Sequence, residues 1–164
     1  MTARRMLIVD TLVAILVNAV VFPVGLHLAG LSPPASLLGS QGAVLDATLA
    51  TICPIVLMTI LMTLVLRARF NRQLPAGSDA TLRRRSLTPP HVLLRAIILA
   101  IIGLLFLMPV RVALIWALGL LPMDGRSHFL LNLLYGVVIG LVFMPIIFIE
   151  TLSDFGGARV APRG

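Results

Sequence analysis

Four stretches of the chain run for about twenty residues with almost no charge. The first lies between Arg5 and His27, with Asp10 as its one charge, and the second between Asp46 and Arg67. The third lies between Arg95 and Asp124, interrupted once by Arg111, and the fourth runs from Phe129 to Ile149. About 20 apolar residues cross a hydrocarbon core of about 30 Å. A segment in lipid must also bond its own backbone polar groups, which a helix does. The pattern predicts an all-α membrane protein of four transmembrane helices, at about 6–28, 45–67, 93–120 and 129–150. Residues 1–164 then form a single integral membrane domain, with a basic loop over 67–91 and a short tail over 151–164.

The joints carry turn chemistry. Leu31-Ser32-Pro33-Pro34 and Gly39 to Gly42 separate the first two stretches, and Pro122, Asp124 and Gly125 separate the last two. The central joint holds Pro75, Gly77 and Pro89-Pro90. Clusters of Gly, Pro, Ser and Asp end helices in this way. Arg4 and Arg5 before an apolar run resemble the start of a secretory signal. Asp10 and Asn18 interrupt that run and no clean small-residue cleavage site follows it, so a retained first helix is expected.

Composition agrees with the pattern. The 164 residues are 59% hydrophobic and 12% charged, against roughly 25% charged in a soluble domain. Neither a water-facing globular surface nor a disordered chain fits these proportions. The net charge of +7 comes from thirteen basic residues, all Arg, and six acids. Eleven of the thirteen (Arg4, Arg5, Arg67, Arg69, Arg72, Arg83, Arg84, Arg85, Arg95, Arg159 and Arg163) fall on one side of the predicted membrane. Basic residues accumulate on the cytoplasmic side, so both termini and the central loop are expected inside. Arg-rich, Lys-free composition points to a bacterial inner membrane. The Arg83-Arg84-Arg85 run reads as a lipid-facing anchor for anionic headgroups. Nucleic acid is not expected as a partner, because aromatic platforms beside the arginines are missing.

The chain divides into two tandem helical hairpins. Pro23 and Pro109 are 86 residues apart, as are Asp46 and Asn132, which suggests a parallel duplication. Pro23, Pro54, Pro109 and Pro145 place one proline in each predicted helix, freeing the carbonyls of Ala19, Ala50, Leu105 and Leu141. These prolines read first as bends and second as ligand positions.

Arg111 is the most informative single residue. Counting about 1.5 Å per residue from Ala96 puts it about 22 Å into the membrane. Asp46 and Asn132 lie at a matching depth with His27 nearby, so Arg111, Asp46, Asn132 and His27 form the candidate polar cluster. Three roles fit Arg111: a structural pair with Asp46, snorkelling to outer headgroups, or a functional site. Asp10, Arg95 and Glu150 lie near the opposite boundary and read as anchors that reach water. Helical phase gathers Asn132, Gly136, Gly140, Phe143 and Glu150 on one face, and Gly136 and Gly140 form a G-x-x-x-G for close helix packing. Asp10, Ala14, Asn18 and Gly25 make a similar stripe on the first helix, and Thr48, Thr51, Thr59 and Thr63 share a face of the second.

Catalytic patterns are not found. His27, His91 and His128 stand apart, Cys53 is the single cysteine, and no phosphate loop or nucleophile elbow occurs. No catalytic residue, metal or cofactor is expected. The sequence predicts an accessory or interaction protein without chemistry of its own, as a homodimer or in a larger membrane complex. The alternative is a small dimeric transporter or channel using the proline breaks and the Arg111–Asp46–Asn132 cluster.

Overall fold

The computed structural model describes residues 2–21, 24, 40–72, 87–121 and 124–160, with backbone alone at 40, 41, 43 and 156–160. Four helices make up the described chain: α1 (Ala3–Leu16), α2 (Ser40–Arg72), α3 (Val92–Ala117) and α4 (Gly125–Val160). Three segments, Val44–Arg72, Val92–Ala117 and Gly125–Phe155, are long and apolar enough to cross a membrane.

α1 starts where Thr2 caps it, its hydroxyl accepting from the Arg5 N–H at 3.4 Å. After 14 residues it widens into a π-helical segment, Val17–Val21. The Asn18 side-chain amide donates to the Ala14 carbonyl at 2.9 Å. An α-turn would give that carbonyl to the backbone N–H of residue 18. A local side-chain bond of this kind competes with the helix ladder, and the turn opens by one residue.

α2 and α4 both outrun the spans expected for them. The expected tail from residue 151 is helix as far as Val160. Its cause is aromatic: Phe70 meets Phe148 and Phe155 edge-to-face, at 5.6 and 5.8 Å between ring centres. Such pairs add about 0.5–1.5 kcal/mol beyond area burial and hold the turn that carries Phe155 against α2. Thr151, Leu152 and Ser153 are buried there.

The helices alternate in direction, with α1 and α3 parallel to each other and antiparallel to α2 and α4. The closest pairs are α2 with α3, α2 with α4, and α1 with α4. Within each hairpin, α1 with α2 and α3 with α4 meet through longer side chains instead. Small residues decide this. A Cβ at Gly136 would sit 2.5 Å from the Asn18 carbonyl oxygen, and one at Gly140 would sit 2.8 Å from Ile15 Cγ1. Glycine is required at that crossing because the backbones themselves approach. Gly103 in α3 instead leaves room for the Thr51 and Ile55 side chains of α2.

Ile55, Leu66, Phe143, Ile147 and Leu152 fill the centre of the bundle. The outer faces carry large apolar side chains such as Leu12, Leu61, Ile97, Phe106 and Trp116, all more than half or nearly half exposed. That inverts the surface of a soluble protein and suits contact with lipid. Pro109 is on the exposed side of α3, one turn from the exposed Leu105, so the carbonyl it frees borders the outer surface. Pro23, Pro122, the 31–39 joint and the Arg83-Arg84-Arg85 run lie outside the described residues.

Candidate functional site

Buried polar groups collect at both ends of the bundle. At the end where α2 begins and α3 finishes, Arg111 is fully buried and its Nη2 donates to Asp46 Oδ2 at 2.6 Å. The second carboxylate oxygen of Asp46 takes a bond from His128 Nε2 at 2.9 Å. With that proton on Nε2, His128 Nδ1 is the acceptor for the Asn132 side-chain amide at 3.3 Å. The Arg111 guanidinium also lies over the Tyr135 ring, 4.8 Å from its centre, a contact that helps a desolvated cation. Thr51 donates its single hydroxyl proton to the Ala47 carbonyl at 2.6 Å. The Tyr135 hydroxyl, 2.7 Å from Thr51 Oγ1, must therefore be the donor of that pair.

Three helices build this cluster. α2 supplies Asp46 and Thr51, α3 supplies Arg111, and α4 supplies His128, Asn132 and Tyr135 at successive turns of one face. The structure brings Arg111 and Asp46 into direct contact and reaches Asn132 through His128. His27 lies outside the described residues. His128 and Tyr135 were missed by the sequence argument, although each is within one turn of Asn132 on the same face. Two donors of Arg111, Nε and Nη1, are buried with no hydrogen-bond partner among the described residues. An unpaired buried donor costs about 1–3 kcal/mol, more on a charged group.

The opposite end corrects the expectation of water-reaching anchors: Asp10, Arg95 and Glu150 are 1%, 0% and 3% exposed. Arg95 bonds with every nitrogen. Nε donates to Thr88 Oγ1 at 2.9 Å, Nη1 to Thr151 Oγ1 at 3.1 Å, and Nη2 to both Asp154 oxygens at 2.8 and 3.0 Å. Asp154 is shared with Arg67 at 3.0 Å, and Arg67 also donates to the Pro90 carbonyl. Glu150 Oε2 accepts from the backbone N–H groups of Leu87 and Thr88 and from the Thr88 hydroxyl, each at 2.9 Å. On α1, Asp10 pairs with Arg69 at 2.7 Å. The anchors are internal because α4 continues past residue 150 and residues 87–88 fold onto it. Asp154 was beyond the helix end expected from hydropathy, so this network was not visible there.

Among the described residues no three His, Cys, Asp or Glu side chains gather as a metal site requires. Cys53 is a free thiol. Compared with protein-family models, curated proteins and solved structures, the chain matches none.

Proposed function

We propose that this is a four-span integral protein of a bacterial inner membrane, with both termini and the central connection on the cytoplasmic side. It acts as an accessory or interaction protein without catalytic chemistry of its own. The observation that carries this reading is that buried charges of the bundle meet opposite charges. Buried Arg111 meets Asp46, buried Arg95 meets Asp154, and buried Asp10 meets Arg69, which is half exposed. Charges inside a membrane are tolerated when they pair within the bundle. The backbone approach of α4 to α1 at Gly136 supports a closed packing scaffold in the same way.

Nineteen helical residues from Ala3 to Val21 support a first crossing, at about 28 Å of helical rise. Arg4, Arg5, Arg67, Arg69 and Arg72 gather where α1 begins and α2 ends, which supports that end as cytoplasmic, and the exposed Arg4, Arg5 and Arg72 support it as the contact for anionic lipid. The apolar outer faces leave room for a homodimer or a larger membrane complex.

A second reading, a small dimeric transporter or channel working through the Arg111–Asp46–Asn132 cluster, is favoured by the two Arg111 donors without a partner among the described residues. Purified protein in liposomes loaded with a pH-sensitive dye separates the two. The first reading expects proton and ion gradients to decay as in empty liposomes. A protein-dependent decay that Arg111→Met abolishes would establish the second. For orientation, a cysteine replacing Ser40 in a Cys53→Ala background should react with an impermeant reagent from outside. One replacing Ser78 should not, and the reverse result inverts the topology.

A further inference from the structure

Contacts in one hairpin recur in the other at a fixed distance along the chain. Adding 85 to the positions of the Asp10–Arg69 ion pair gives Arg95 and Asp154, which form an ion pair of their own. The two pairs measure 2.7 and 2.8 Å. The same step takes Asn18 and Met58, whose amide and sulfur are 2.9 Å apart, to Gly103 and Phe143. Those meet as well, with the Phe143 ring 3.4 Å from a Cβ placed at Gly103. The crossing of α1 with α4 at Asn18 and Gly136 maps onto Gly103 and Thr51, the crossing of α3 with α2.

Surface positions follow the same step. Leu12, Leu16 and Leu57 face outward, and so do their counterparts Ile97, Ile101 and Val142. Exchanging α1 with α3 and α2 with α4 returns the same three close helix pairs. The spacing of 86 read from Pro23 and Pro109 is therefore one residue too long, and a slip of one turns a helical position by about 100°.

Little sequence likeness marks this relation because the chemistry changes hands. The acid is on the first helix of one hairpin and on the second helix of the other. The small residue at the close crossing is on α4 in one case and on α3 in the other. An ion pair, or a knob in a hole, is physically equivalent when its members are exchanged. We infer that the two hairpins are two copies of one two-helix module, and that the partner of each module is the other, docked through α2 on α4 at the centre and through α2 on α3 and α1 on α4 to either side. The modules differ at the Arg111 end, where Asp46, Asn132 and Tyr135 correspond to Leu131, Ala47 and Ala50. Both modules contribute to the polar cluster, and each of these three members has an apolar counterpart in the other module.

Module equivalence predicts that the first hairpin accepts the second hairpin's arrangement. In the full-length chain, Asp10→Arg alone opposes Arg69 and should lower the melting midpoint by roughly 10 °C. Asp10→Arg with Arg69→Asp recreates the Arg95–Asp154 order and should return to within about 3 °C of the native chain. Asn18→Gly with Met58→Phe should likewise outperform Asn18→Gly alone. Double variants no better than the poorer single variant would overturn the proposal. A spectroscopic measurement tests it without altering these contacts. Spin labels at positions 16 and 57, and in a second sample at 101 and 142, should give coincident distance distributions. Means that differ by a helix diameter, about 10 Å, would overturn it.

Discussion

Arg95 and Arg111 are both fully buried on α3, sixteen residues apart, yet their surroundings differ in kind. Arg95 uses all three nitrogens, on two hydroxyls and a carboxylate, and Asp154 is shared with a second arginine. Arg111 uses one nitrogen on Asp46 and rests its face on Tyr135, leaving two donors without a partner among the described residues. Equal burial thus hides unequal satisfaction. A fully bonded buried charge fixes a structure, whereas a half-bonded one keeps an unspent capacity to bind or to move. The Arg111 end is where function should be sought.

Mutations can sharpen this contrast, with thermal unfolding in detergent followed by reaction of Cys53 with a thiol dye. Arg95→Leu should have the largest effect, about 3–5 kcal/mol, because it removes the buried cation that ties Thr88, Thr151 and Asp154 together and leaves Asp154 to Arg67. Equal tolerance of Arg95→Leu and Arg111→Met would erase the distinction between the two ends. At the other end the two partners should not be equivalent. Asp46→Asn leaves the buried Arg111 without an anion and should cost about 3 kcal/mol. Arg111→Met leaves Asp46 its bond from His128 and removes two unsatisfied donors, so about 1–2 kcal/mol is expected.

Exchanging the charges, Arg111→Asp with Asp46→Arg, should recover only part of what either single reversal loses. His128 would then face the new arginine. Full recovery would show that His128 contributes nothing to the pair.

Gly136→Ala tests packing without touching charge. Its Cβ would meet backbone of Asn18, which cannot swing aside, so about 1–3 kcal/mol is expected. At Gly140 the Ile15 backbone is 3.0 Å away, against 2.5 Å to the Asn18 backbone at Gly136, so Gly140→Ala should cost less. A reversed order would mean that α1 shifts as a unit. The smallest effect is at Asp124, exposed at the start of α4. Bonds from the Ser127 hydroxyl and backbone N–H hold its carboxyl below the usual carboxylate range. The folded state therefore gains stability above the unfolded value of about 3.9, and loses it as pH falls through the lower folded value. The difference in melting midpoint between the native chain and Asp124→Asn should narrow as pH falls from neutral toward 3. A constant difference would show that the carboxylate charge plays no part.

Much of this molecule was legible beforehand. The inward stripe of Asp10, Ala14 and Asn18 on α1 is buried, as are Gly136, Gly140, Phe143 and Glu150 on α4. Depth counting paired Arg111 with Asp46, and the two meet at 2.6 Å. What escaped notice were partners other than Asp, Glu and Arg. His128, Tyr135, Thr88 and Thr151 carry no signal in a hydropathy pattern, since each takes its role from a neighbour on another helix. Asp154 was lost to a misplaced helix end, which aromatic packing on Phe70 extends.

Hydropathy and helical phase are local properties, summed along one segment, so the sequence by itself determined that the chain is helical and which face of each helix turns inward. Which helices touch, and in what register, depends on where one helix leaves room for another. That was decided in three dimensions by Gly103, Gly136 and Gly140. Only there did the step of 85 residues emerge, because equivalence between the hairpins is kept in contacts and not in residue identity. The same assembly decided that one buried arginine is fully bonded and the other is not.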